Sequence, residues 1–364
     1  MKTQNDLTRN NSITIWRIVF SLCILGEHSG LTGRWIVPVE FFFLTSGYLL
    51  AQEVYEKGAK ESGIQYAWKR VKRLYPMYFI SMLLYGIAFM GLYAPETVSS
   101  STVGKFIIHN LLASYRQFLM LQVWGQQQMI LLNPICWYVA TIFWDGIILY
   151  IFLKWIPPKQ ARWLIGISSF LILSVYCIKV GHLDVWEIHR SVILDGRVLY
   201  MSDALMRGFA DMGLGVLIYC VKEKYGNKIT EIFKEHFIWL EMAGYLFVII
   251  AAFYMGKSRW DYLFLGVLCV CVLLSFLPHK SPWINNKVIR YLGRWTYGVY
   301  LNQSIFIIVL LPLVVYSINT PWKKFIVSTI ASVLLTMICE IAIKGVGKIV
   351  MRICRDERKS CKTD

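Results

Sequence analysis

The sequence predicts an all-α, polytopic integral membrane protein of about ten transmembrane helices, with both termini in the cytoplasm. Three observations carry that prediction. The chain is 57% hydrophobic and only 16% charged, whereas soluble globular proteins carry about a quarter charged residues. Its apolar residues gather into runs close to the roughly 20 residues that a helix needs to cross the hydrocarbon. Its lysines and arginines fall between those runs with a consistent preference for one side.

In order, the expected spans are 12–29, 36–54, 76–93, 135–155, 162–180, 204–221, 237–256, 260–278, 296–317 and 324–346. The first begins after the polar stretch Asn5 to Ser12, holds Arg17 and lacks a small-residue cleavage site, so it is expected to stay in the mature protein. Residues 106–123 are also apolar but are broken by His109, Asn110, Tyr115, Arg116 and Gln117. They are expected to be amphipathic at an interface or re-entrant. With 106–123 not crossing, the loops assigned to the cytoplasm hold the cations from Lys57 to Arg73, from Lys154 to Arg162, from Lys222 to Lys234 and from Lys280 to Arg294, and the tail adds Lys344 to Lys362. Counting it as a span would invert every later loop and destroy the bias. There is no internal repeat, and no loop is long enough for a sizeable extramembrane domain, so residues 1–364 read as a single unit.

The net charge of +16 comes without a basic stripe or tail of the kind that nucleic-acid binding requires, and no nucleic-acid partner is expected. Seven of the nine cysteines, from Cys23 to Cys339, lie in or at the ends of apolar runs, and Cys354 and Cys361 belong to the polar tail. No C-x-x-C pair occurs, so no metal or redox site is expected.

Ionisable groups inside a span are costly and mark candidate functional positions. The first span carries Arg17 and His28. Eleven residues make three helical turns plus about 20°, so the two share one face about 16 Å apart along the axis. Two readings are open on spacing alone: a functional pair, or a snorkelling arginine with an interfacial histidine. Glu27 points roughly 100° away from His28. Arg207 and Asp211 are four apart and suited to an intrahelical ion pair. Trp137 and Tyr138 suit interfacial anchors. His182, His189, His236 and His279 fall in loops and are assigned no chemistry.

Five stretches, in order, namely Trp16-Arg17 through His28, Val39 to Leu49, Arg70 to Pro76, Trp137-Tyr138 with Phe143-Trp144, and Tyr291 to Arg294 with Tyr300-Leu301, resemble the membrane acyltransferase family three, or O-acetylase family. Trp16-Arg17 through His28 is similar to the family's arginine-x10-histidine signature. The stretch Val39 to Leu49, with Phe42-Phe43 ahead of Ser46-Gly47-Tyr48-Leu49, resembles its second helix. Arg70-Val71-Lys72-Arg73-Leu74-Tyr75-Pro76 is similar to the arginine-x-x-arginine motif entering the third helix. Trp137-Tyr138 near Phe143-Trp144 resembles the opening of the middle helix. Tyr291-Leu292-Gly293-Arg294 with Tyr300-Leu301 resembles the late Leu-Gly-Lys…Tyr-Leu-x-His element. The sequence departs from the family twice. Gln303 stands where many relatives have histidine, and Ile142 stands where many have glutamate, the nearest acid being Asp145.

The resemblance implies a plasma-membrane, multi-pass O-acyltransferase that moves an acyl group, usually acetyl from acetyl-CoA or another acyl-CoA, to a hydroxyl of a surface glycan or lipid-linked saccharide. It implies no metal, and membrane lipids as surroundings. Under it, Arg70 and Arg73 are expected to hold the CoA phosphates, the alternative being that they only enforce topology. Arg17 is expected to hold the donor within the membrane. His28 is expected to act as general base or through a transient acyl-imidazole. Ser46, Tyr48, Trp137 and Gln303 are candidate substrate-lining residues, or else pack between helices. Two other functions are open: a glycolipid flippase or small-solute transporter, and a catalytically inactive relative serving as scaffold or sensor.

Overall fold

A computed structural model describes residues 12–31, 36–93, 98–99, 101–124, 132–184, 190–194, 197–233, 236–256, 258–278, 286–314 and 320–360. His189, His279 and residues 315–317 of the ninth expected span lie outside the described residues.

Each expected span falls on a helix. These are α1 (Ser12–His28), α2 (Ile36–Lys57), α3 (Gly63–Leu92), α6 (Trp137–Trp155), α7 (Pro158–Lys179), α8 (Asp203–Phe233), α9 (Phe237–Tyr254), α10 (Trp260–Ser275), α11 (Lys287–Ser304) and α12 (Pro321–Ser360). Between α3 and α6 lie the short helices α4 (Val103–Ala113) and α5 (Tyr115–Phe118). Among the described residues, six helices, those carrying α3, α6, α7, α8, α9 and α12, are long and apolar enough to cross a membrane. Of the other expected spans, α1 and α10 have only 17 and 16 residues, and α2 is charged towards its carboxy-terminal end. Between α7 and α8, Arg190–Leu194 pairs antiparallel with Arg197–Met201 in a two-stranded hairpin, β1 and β2.

Helix α3 begins well before the expected start at residue 76. Ser62 and Gln65 form a reciprocal capping box, with Gln65 N–H donating to Ser62 Oγ at 3.2 Å and Ser62 N–H donating to Gln65 Oε1 at 2.8 Å. Pro76 therefore lies inside the helix rather than at its entry, and Arg70 and Arg73 sit on an already formed turn.

The segment expected at an interface does not cross as one helix. Eleven residues of α4 rise about 16 Å, too short for a span, and none of them is buried. Residues 114–124 then fold into the bundle. Gln117 and Gln122 are buried there; Gln117 Oε1 accepts the Leu132 N–H at 2.6 Å, and Gln122 Nε2 donates to Tyr78 Oη at 3.0 Å. Non-helical backbone is tolerated at such depth only when its polar groups are met by protein. The glutamines that interrupt the apolar run meet them.

Helix α8 packs against α2, α6 and α7 along small residues. A Cβ on Gly47 would strike the Met212 carbonyl oxygen, one on Gly215 the Leu44 carbonyl oxygen, one on Gly208 the Asp145 carboxyl, and one on Gly213 the Ser169 hydroxyl. Backbones this close replace the hydrophobic drive that lipid cannot supply. Gly47 and Gly215 thus serve the α2–α8 seam, while Gly208 and Gly213 let α8 approach α6 and α7.

Helix α11 ends in an irregularity. Residues Ile305–Leu310 wind as a π-helical turn. The freed carbonyl of Leu301 accepts from Ser81 Oγ at 2.9 Å and from Asn133 Nδ2 at 3.0 Å. Single π-turns of this kind occur often at functional sites.

Candidate active site

Helix α1 is clamped at its amino-terminal end by a buried carboxylate on α9. Glu241 Oε1 accepts from Trp16 Nε1 at 2.9 Å, from Ser275 Oγ on α10 at 2.6 Å and from the Ser12 hydroxyl. Tyr245 stands above Glu241, within 3.0 Å of the Ser275 hydroxyl, and its ring meets those of Trp16, Phe20 and Phe41. The clamp fixes the rotation of α1 about its axis and so sets where Arg17, the next residue after Trp16, can point.

The half-buried Arg17 lies within electrostatic reach of Tyr138 on α6, whose hydroxyl is bonded to the Ser46 side chain of α2 and also feels Arg70 and Glu40. Tyr138 makes an edge-to-face contact with Tyr300 on α11 at 5.6 Å. Tyr300 is held by a 2.8 Å bond to the Ile135 carbonyl. One turn further along α11 is Gln303, whose side chain meets the imidazole of His28. Three helices therefore build one wall, with Arg17 at one end and His28 at the other. His28 is accessible, whereas Gln303 is completely buried.

Arg70 and Arg73 share a face of α3 and are close enough to repel each other. Arg70 is already anchored: Nη1 donates to Tyr66 Oη at 2.8 Å and Nη2 to the Ile142 carbonyl at 3.3 Å, with the guanidinium lying over Gly146. Arg73 is exposed. Both sit in the field of Tyr297, whose hydroxyl donates to the Leu74 carbonyl at 3.0 Å. Two adjacent guanidiniums, one fixed and one open, form an arrangement suited to phosphate oxygens.

The remaining candidates divide. Ser46 joins the wall through Tyr138. Trp137 begins α6 beside Phe43, and both rings lie under the Arg207 guanidinium at 5.9 Å. Tyr48 does not join the wall; its ring stacks on Phe276 at 3.5 Å and meets Tyr219 edge-on, packing α2 against α10 and α8.

The Arg207–Asp211 pair is present, with Nε to Oδ2 at 3.7 Å, but it is part of a larger group. Arg207 also bonds Glu40 on α2, which lies within electrostatic reach of Asp211. The three are at most 1% exposed. The sequence reading missed Glu40, Glu241 and Tyr300 as functional or organising groups. For the two glutamates the signal was available, each being a lone carboxylate inside an apolar run.

No curated protein and no solved structure matches this chain. A family model described as an acyltransferase domain matches residues 7–341, and the matched region carries Arg17, His28, Arg70, Arg73 and Gln303. The chain is thus a member of the acyltransferase-3 family of membrane acyltransferases.

Proposed function

We infer that the protein is a plasma-membrane O-acyltransferase that carries an acyl group, acetyl in the first instance, from cytoplasmic acyl-CoA to a hydroxyl of a cell-surface or lipid-linked glycan. The observation that carries this reading is the continuous wall from Arg17 through Tyr138, Tyr300 and Gln303 to His28. It joins a cation near the start of α1 to an imidazole near its end. The separation of about 16 Å along the helix is of the order of an extended pantetheine arm. In this reading all ten long helices span the bilayer, both termini are cytoplasmic, and the Arg70–Arg73 pair receives the CoA phosphates on the inner side.

Arg17 then holds the donor inside the membrane. The thioester carbonyl lies by His28, whose imidazole takes the proton of the incoming hydroxyl or carries the acyl group itself. Purified protein supplied with acetyl-CoA should release free CoA thiol. Surface glycans from cells that contain the protein should be heavier by one acyl group than those from cells that lack it. Movement of a glycolipid without thiol release would replace this reading with a carrier. Failure to bind acetyl-CoA at all would replace it with an inactive relative.

A further inference from the structure

Gln303 is completely buried, and neither its Oε1 nor its Nε2 completes a well-formed hydrogen bond with any protein group. Leaving one buried polar atom unanswered costs about 1–3 kcal/mol, and native proteins rarely tolerate it without a reason. The surroundings make this more pointed. Its polar neighbours on the same turn each make at least one hydrogen bond, although Asn302 Oδ1 has no partner. Asn302 Nδ2 donates to Thr336 Oγ1 of α12 at 3.1 Å, Ser304 Oγ donates to Asn133 Oδ1 at 2.9 Å, and the Leu301 carbonyl is taken by Ser81 and Asn133. The end of α11 is thus bolted to α3, to the segment before α6 and to α12. Among the described residues, the buried amide with neither atom engaged is the one that faces the imidazole of His28.

We propose that Gln303 is a catalytic residue whose amide N–H donates to the thioester oxygen as negative charge develops there, completing with His28 a base and oxyanion-donor pair. This rests on the acyltransferase reading above, with His28 acting as base. In the step, the acceptor O–H bond breaks and its proton passes to the imidazole. The acceptor oxygen's electron pair forms the new C–O bond, and the carbonyl π pair moves onto oxygen, where Gln303 Nε2 donates to it. The C=O bond then re-forms, the C–S bond breaks, and the CoA sulfur leaves with that electron pair and takes the proton from the imidazolium. Fixed donors aimed at a developing oxyanion cost no reorganisation during reaction, and losing one lowers turnover by about 10²–10³-fold. The π-turn after Ser304 and the bolts on Leu301, Asn302 and Ser304 are what fix this one.

The test is acetyl-CoA hydrolysis, water standing in for the acceptor, by wild type, His28→Ala, Gln303→Leu, Gln303→Glu and Gln303→His, each first checked for a monodisperse size-exclusion profile and for acetyl-CoA binding. Glutamate keeps an acceptor towards the imidazole but loses the donor, and histidine restores a donor. The expected result is that Gln303→Leu and Gln303→Glu each lose about 10²–10³-fold in kcat, with KM for acetyl-CoA within about threefold of wild type, while Gln303→His recovers at least about tenfold over Gln303→Leu. Full turnover by Gln303→Glu, or a rise in KM alone in Gln303→Leu, overturns the donor role and leaves the acyltransferase reading standing. A wild-type protein that releases no thiol, or an active His28→Ala, overturns both.

Discussion

The two ends of α1 are built on opposite principles. At the amino-terminal end, three donors converge on Glu241 and an aromatic cluster closes around them. At the carboxy-terminal end, an accessible imidazole faces a buried amide neither atom of which completes a well-formed hydrogen bond. Ser29 pairs there with Ser328 of α12 at 3.2 Å, so that end is anchored as well. Its lack of hydrogen bonds around Gln303 is therefore local rather than a sign of looseness. In a bilayer a polar group paired across helices serves as a bolt between them, whereas the Gln303 amide has neither atom engaged. The Arg207–Glu40–Asp211 group belongs with the bolts.

The contrast predicts that substitutions among the bolts are read in stability, and substitutions on the wall in turnover. The largest stability effect is expected at Arg207→Met. It leaves Glu40 and Asp211 without their cation, a loss of about 3–5 kcal/mol for a broken buried pair. The protein should fail to accumulate in a monodisperse form, and normal yield with normal melting would break the assignment. Next is Glu241→Ala, which strips the acceptor from Ser12, Trp16 and Ser275, at about 1–3 kcal/mol for each group left buried and unpaired. Glu241→Gln retains an acceptor oxygen and should recover most of the melting temperature. If alanine and glutamine melt alike, the clamp is not a hydrogen-bonded one.

Gly215→Ala comes third. A methyl there meets the Leu44 carbonyl, and overpacking of this kind costs about 1–3 kcal/mol. The same change at Gly104, which has nothing within 4 Å, should leave melting unaltered. The smallest effect is expected at Lys69→Met. Lys69 bonds Glu53 at 2.6 Å and Glu61 at 3.3 Å, with Glu53 the main cause holding the ammonium above the usual lysine range. The pair is about half exposed, so its contribution is below about 1 kcal/mol. Because the folded-state value is raised, that contribution is present at neutral pH and lost as pH rises through it. Wild type and variant should therefore converge in melting temperature under strongly alkaline conditions.

Much of this was legible in the sequence. Apolar runs located all the long helices, because lipid forces each spanning segment to satisfy its own backbone. The eleven-residue spacing placed Arg17 and His28 on one face, because helical pitch is local. The capping box at Ser62 and Gln65 was legible as well, but the span length hid it: counting about 20 apolar residues starts α3 at 76, while the solvated first turns carry Arg70 and Arg73. The partners of the polar groups were beyond sequence reading. Glu241 meets Ser12 across 229 positions, and Asn133 meets Ser304 across 171. Nothing local in Leu301 to Leu310 announces the π-turn that frees the Leu301 carbonyl. Tyr48 shows the converse. It sits in a motif with Ser46, yet two residues along a helix turn a side chain by about 200°, so Ser46 reaches the wall and Tyr48 the packed seam.

The account depends on α1 presenting a donor-holding cation and a reacting imidazole to one wall. The most direct test is to measure acetyl-CoA affinity and thiol release together in wild type, Arg17→Gln and His28→Ala. The predicted result is a split: Arg17→Gln binds acetyl-CoA more weakly, whereas His28→Ala binds as wild type does and turns over about 10²–10⁴-fold more slowly. A His28→Ala protein that releases thiol at the wild-type rate, or an Arg17→Gln protein unchanged in both quantities, would contradict it.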